Sequence, residues 1–213
     1  MRHQRSFSNV FGQYPSFFLA ALIGVISVPF FGHANILTNG SFESGLTGWT
    51  ITGVNNVLLR TDANFPATDG HNMINFNGGQ SVPNGTLSQT IPTLTGHKYT
   101  IAYDYGNWGN FLPITQTLGV TLQGNSILDQ RDVTDSTIDG SQNAATVYNP
   151  FSYTFVADSL STTLTFTDKA AGTNSSDGLL DNVRINEVPE PSMMAFVGVG
   201  LVMLFRSRRA KSR

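Results

Sequence analysis

Between positions 104 and 110 the chain reads Asp-Tyr-Gly-Asn-Trp-Gly-Asn. These residue types suit a polyhydroxylated ligand. The C–H face of a sugar ring stacks on an exposed indole or phenol, and its hydroxyls pair with amides and carboxylates. Asp104, Tyr105, Asn107, Trp108 and Asn110 supply both kinds of group within seven residues, and the intervening glycines admit close approach. The stretch is the candidate ligand-contacting loop. The alternative for Trp108 is to cap the edge of a sheet with its N–H satisfied.

Other chemistry is hard to assemble from this chain. Asp129, Asp132, Asp135 and Asp139 cluster in a segment, Ile127 to Tyr148, that reads as a long loop. Their spacing is not that of an EF-hand, so a solvated acidic loop is expected rather than a cation site. There is no cysteine, which removes disulfides, thiolate metal sites and cysteine nucleophiles. Beyond the N-terminal region only His71 and His97 remain as histidines. No nucleophile elbow, phosphate loop, HExxH or zinc pattern is present. A spatially assembled triad leaves no sequence mark, and the acids are too many to single out a glycosidase pair. A non-catalytic protein is the expectation.

The elements that must position the candidate groups are strands. Tyr99, Ile101, Tyr103 and Tyr105 alternate with Thr100, Ala102 and Asp104. Leu118, Val120 and Leu122 do the same, as do Phe151, Tyr153 and Phe155, and Leu164 and Phe166. Leu180 with Val183-Arg184-Ile185 suggests a last strand. Asn39-Gly40, Asn77-Gly78-Gly79, Asn84-Gly85, Gly124-Asn125, Asp139-Gly140 and Asp177-Gly178 read as turns. Short alternating strands with such turns and no convincing helix predict an all-β antiparallel sandwich, its aromatic stripes facing the core.

Charge separates the middle from the ends. Of 213 residues, 12 are basic and 14 acidic, for a net charge of −2. Between Asn35 and Glu190, however, five basic residues face all fourteen acids, a net of −9. Such a surface repels phosphate backbones, so nucleic acid is not an expected partner. The other basic residues lie at the two ends. Arg2 and Arg5 precede the largely apolar run Ser16 to Phe31, and Gly32-His33-Ala34 then offers small residues for signal-peptide cleavage after Ala34. At the other end, Val188-Pro189-Glu190-Pro191 precedes thirteen uncharged residues, Met193 to Phe205, and then Arg206, Arg208, Arg209, Lys211 and Arg213. Thirteen residues are fewer than the roughly 20 of an ordinary membrane span. The basic tail is held on the cytoplasmic side, and the prolines keep the preceding segment extended and open to a protease. The expected organisation is a signal peptide over 1–34, a sandwich domain over 35–187 and a C-terminal segment over 188–213.

That C-terminal arrangement resembles the PEP-CTERM sorting signal. The resemblance implies export in a Gram-negative bacterium, transient anchoring in the inner membrane, and removal of the tail by exosortase, a membrane-embedded protease. Its hosts make exopolysaccharide. A retained single-pass anchor is the alternative. Within the body, Asn39-Gly40-Ser41-Phe42-Glu43 with Gly48-Trp49 resembles the opening of galactose-binding-like jelly rolls, among them carbohydrate-binding modules. Leu179-Leu180-Asp181-Asn182-Val183-Arg184-Ile185 resembles their last strand. Gly85 to Ile91 and Gly96 to Ile101 are similar to the centre of choice-of-anchor domains. This resemblance implies a jelly roll and a structural calcium between first and last strands, with Glu43 and Asp181 as side-chain ligands and Asp69 as a third. The alternative is that Glu43 and Asp181 hydrogen-bond backbone where the strands meet. Together these features imply a surface or biofilm-matrix protein that binds exopolysaccharide or another glycan, or a structural matrix protein with no specific ligand.

Overall fold

The computed structural model describes residues 34–52, 56–61, 65–78, 85–109, 115–136, 147–170 and 176–189. The body of the expected signal peptide, Asn110, Asp139, Glu190, Pro191 and the apolar and basic tail lie outside the described residues.

Ten strands form: β1 (Thr50–Thr52), β2 (Leu58–Arg60), β3 (Met73–Phe76), β4 (Thr86–Pro92), β5 (Lys98–Gly109), β6 (Thr115–Gln123), β7 (Ile127–Ser136), β8 (Tyr148–Val156), β9 (Ser161–Asp168) and β10 (Ser176–Glu187). They make two antiparallel five-stranded sheets, ordered β1-β4-β9-β6-β7 and β2-β3-β10-β5-β8. From β3 onward the chain changes sheet at every connection except the β6–β7 hairpin. The resulting pair of four-strand orders, 4-9-6-7 and 3-10-5-8, is jelly-roll winding.

The predicted alternation is realised. Tyr99, Ile101, Tyr103 and Tyr105 from β5 meet Leu118, Val120 and Leu122 from β6 and Leu164 and Phe166 from β9 in one core, all at most 2% exposed. Tyr103 stacks on Phe151 and packs edge-on against Phe166, each at 5.4 Å between ring centres. Period-2 alternation makes such stripes, because a strand sends successive side chains to opposite faces.

The opening motif is structural. The Asn39 side-chain oxygen accepts from Ser44 N–H, and its amide donates to Gly45 and Thr47 carbonyls. The indole N–H of Trp49 donates to the Asn39 carbonyl at 3.0 Å, and its ring packs against buried Phe42. The turn then seats on β10, where Val183 N–H donates to Gly40 O. A Cβ at Gly40 would lie 1.8 Å from the Val183 carbonyl oxygen, so only glycine lets the two backbones meet. Here β10 carries a bulge. Asp181 pairs with Asp104 and Arg184 with Ala102, and Asn182 takes a left-handed φ of 56°.

Two expectations are corrected. Ile127–Ser136 is a strand, β7, rather than part of a long acidic loop. Its charges are partnered: Asp129 with Arg131, Asp132 with Lys169, and Asp135 with the Asn149 amide. On an edge strand, charges directed toward the opposite sheet discourage pairing with another chain. Asp177-Gly178 is likewise not a turn but lies within β10. A Cβ at Gly178 would come within 2.5 Å of the Tyr105 hydroxyl, so this glycine makes room for a core ring on the neighbouring strand.

Candidate functional site

Residues Asp104 to Gly109 do not form a loop. They are the second half of β5, paired with β10 on one side and, from Asp104 to Gly106, with β8 on the other. Strand alternation therefore splits the candidate set between two faces. Tyr105 and Asn107 are each 1% exposed and turn into the sandwich, where Ser176 Oγ donates to Asn107 Oδ1 at 2.8 Å. Their side chains face the core rather than the outer surface. Asp104 and Trp108 turn to the outer face. Glycine and asparagine are common in turns, but hydrogen bonding from both flanks holds this stretch extended.

On that outer face Trp108 belongs to a second, smaller apolar cluster. Its ring lies 4.8 Å from Phe65, over Met73 and Leu179, and Tyr148 from β8 joins from the other side. The neighbouring strands supply polar groups. Asp177 is the β10 residue paired with Trp108. Its Oδ2 accepts from the Asn75 amide of β3 at 3.0 Å. The Arg60 guanidinium of β2 sits 5.3 Å from the Phe65 ring centre. Four buried polar atoms here have no hydrogen-bond partner among the described residues: Arg60 Nε, Asn75 Oδ1, Asp177 Oδ1 and Tyr148 OH. Buried polar groups are normally partnered, so this concentration distinguishes the outer face from the core. Burial pushes the Asp177 carboxyl up to about 6, against the pull of the Asn75 amide and the Arg60 charge. Burial likewise raises the Tyr148 phenol.

Arg60, Asn75, Asp177 and Tyr148 carried no signal in the sequence as site residues. Asp177 sits in a dipeptide typical of turns, and the others are scattered over three strands. Only the sheet order β2-β3-β10-β5-β8 sets them side by side.

Glu43, Asp69 and Asp181 are brought together by the segment 65–72, which crosses the end of this face. Asp181, fully buried, accepts at Oδ2 from Thr68 N–H (2.7 Å), Asp69 N–H (2.8 Å) and Thr68 Oγ1 (3.2 Å), and at Oδ1 from Asn182 N–H (2.6 Å). Burial nonetheless raises its carboxyl to about 6. Glu43 Oε1 accepts from His71 and Asn72 N–H groups, which hold its carboxyl below the usual range. Asp69 contributes its backbone N–H. In this arrangement two carboxylates clamp one loop to the opening turn and the last strand. Calcium wants six to eight oxygens, and at Asp181 it would have to displace donors already in place. Among the described residues no cluster of three metal-ligating side chains forms.

Ala34 is exposed at the start of the described domain. Val188 and Pro189 follow β10, Val188 N–H donating to the Lys98 carbonyl at 2.8 Å.

No family model matches the sequence, and the curated proteins contain no match to it. Solved structures do match in fold. An arabinose-bound α-L-arabinofuranosidase, MgGH51, aligns over 73% of this chain and 27% of its own, at 16% identity and a TM-score of 0.51. The K3 cleaved adhesin domain of Lys-gingipain from Porphyromonas gingivalis aligns over 72% of this chain and 99% of its own, at 15% identity and 0.50. The carbohydrate-binding module TmCBM61, solved with β-1,4-galactotriose, aligns over 73% and 99%, at 18% identity and 0.48. The chain shares the β-sandwich fold with the adhesin domain and with the aligned part of the arabinofuranosidase.

Proposed function

We propose that this protein is a non-catalytic carbohydrate-binding module, exported and delivered to the cell surface or its polysaccharide matrix. One observation carries the reading. On the outer face of β2-β3-β10-β5-β8 the half-buried rings of Trp108 and Tyr148 pack with Phe65, beside buried polar atoms of Arg60, Asn75, Asp177 and Tyr148 that have no hydrogen-bond partner among the described residues. A sugar needs that pairing of ring and polar edge. Asp104, on the same face, is held by the Asn182 amide at 2.9 Å and extends the polar side. The likeness in fold to an adhesin domain is consistent with the reading, but the site itself rests on geometry.

The delivery part of the proposal rests on the sequence of the C-terminal segment, with exosortase as the processing partner and Val188-Pro189-Glu190-Pro191 as the recognised motif. The net charge of −9 between Asn35 and Glu190 points to neutral rather than anionic polysaccharides.

A glycan array probed with wild type and with Trp108→Ala tests the binding reading. Specific binding by wild type that is lost in the variant, with the melting transition retained, is the expected result. No binding by wild type across neutral and acidic glycans would favour a structural matrix protein instead.

A further inference from the structure

The end of the sandwich away from Trp108 and Asp177 has a different surface. The described domain begins and finishes there: Ile36 N–H donates to Ile185 O at 2.9 Å, and Val188 N–H to Lys98 O at 2.8 Å. Three turns share this end, 93–97, 124–126 and 157–160. They are tied into one platform. Thr93 N–H donates to Leu160 O and Gly96 N–H to Ala157 O, at 3.0 and 2.8 Å. Asp158 accepts from Asn125 and Ser126 N–H groups at 2.8 and 2.9 Å.

Apolar side chains concentrate on this platform. Of the five large hydrophobic residues exposed among the described residues, four lie here: Leu94 (49%), Ile127 (58%), Val156 (53%) and Leu160 (74%). A shallow pocket of about 160 Å³ opens between Leu94, Pro92, Tyr99 and Ile36, with Thr93 and Glu187 completing its lining. Single exposed leucines are ordinary, but a set of four on one rigid end calls for a partner. The sequence says which. Met193 to Phe205, uncharged and followed by five basic residues, begins four residues after Pro189. Four extended residues reach at most about 14 Å. A bilayer that takes up that segment therefore lies within about one strand length of this platform.

We propose that this end of the sandwich docks on the lipid bilayer, with Leu94 and Leu160 at the turn tips entering the interface. The inference rests on reading 193–205 as a membrane segment. Docked in this way, the domain points its Trp108–Asp177 end away from the membrane, toward external polysaccharide, before the tail is removed. The apolar platform then has a use only while the chain is tethered.

The chain has no cysteine, so one introduced cysteine carries one fluorophore. The full chain, as Leu160→Cys or Val147→Cys, is reconstituted in phosphatidylethanolamine–phosphatidylglycerol vesicles carrying a shallow nitroxide quencher. Val147 is 70% exposed and precedes β8 at the opposite end. Quenching at 160 but not at 147 is the expected result. Adding Leu94→Ser should reduce docking about tenfold, the equivalent of withdrawing one leucine from the interface. Vesicle-bound protein with an unquenched 160 label overturns the docking and leaves the tail reading intact. Failure to float with vesicles overturns the tail reading and the docking with it. Concentration-dependent burial of the 160 label without vesicles assigns the platform to a second copy, and also overturns the proposal.

Discussion

Replacing Asp177 by asparagine should make the domain more stable at neutral pH. The carboxyl is 6% exposed, one of its oxygens has no partner among the described residues, and burial raises it from 3.8 to about 6. A carboxyl raised in the folded state favours folding when protonated and opposes it when ionised. Its contribution is therefore fully present below about pH 4 and is lost as pH rises through about 6. The displacement from 3.8 to about 6 corresponds to about 3 kcal/mol of stability lost by pH 7–8. Asparagine keeps the shape and carries no charge. The Asn75 amide can turn its partnerless oxygen toward the new NH₂ group, so the 3.0 Å contact survives with roles exchanged. Urea unfolding of wild type and Asp177→Asn at pH 4, 5, 6, 7 and 8 reads the effect. The two should nearly coincide at pH 4 and diverge through pH 6, the variant gaining up to about 3 kcal/mol above pH 7. Taking the difference between the two proteins cancels the titration of Asp181, which burial also raises to about 6. A difference that does not change with pH, or a variant weaker at pH 7, would refute the reasoning. It would mean that Arg60 stabilises the charge more than burial penalises it. If Asp177 contacts glycan, the same substitution should weaken binding while strengthening the fold, the trade expected of a functional group kept at a cost in stability.

The remaining expectations concern separate parts of the chain. Trp108→Ala should cost glycan affinity about 2 kcal/mol, or roughly thirtyfold by titration calorimetry; unchanged affinity would remove Trp108 from the site. Gly40→Ala forces a Cβ against the Val183 carbonyl and should destabilise the domain by about 3 kcal/mol in urea melts, the upper part of the overpacking range. Melts with calcium and with chelator should coincide if Glu43 and Asp181 act as backbone clamps, whereas a bound ion would raise the melting temperature by mass action. Intact mass of protein from the native host should show the loss of Met193 to Arg213, and a full-length mass would refute processing of the tail.

Much of the fold is legible in the sequence because strand periodicity is local. Alternation over Tyr99–Tyr105, Leu118–Leu122 and Leu164–Phe166 depends only on the pleat, and each stripe faces the core as read. The turn around Asn39 and Gly40 is also local, made by one asparagine side chain bonding its own backbone. Two readings failed where residue type and neighbour disagreed. Glycine and asparagine in 104–110, and four aspartates after Ile127, favour loops in isolation. Within the sandwich both stretches gain inter-strand hydrogen bonds, and the described β7 charges gain partners on β7 itself, at Lys169 and on the opposite sheet, which outweighs their weak local preference.

The sequence by itself determined the class of fold, the −9 charge of the middle and the separate character of both ends, because composition, period and charge order do not depend on tertiary contacts. Tertiary structure alone decided the candidate site. Jelly-roll winding sets β2, β3, β10, β5 and β8 side by side, so that Arg60, Asn75, Asp177, Trp108 and Tyr148, up to 117 positions apart, share one outer face. The same pleat turns Tyr105 and Asn107 inward. Distance along the chain carries no information about which strands will be neighbours, and a one-residue step decides which face a side chain takes.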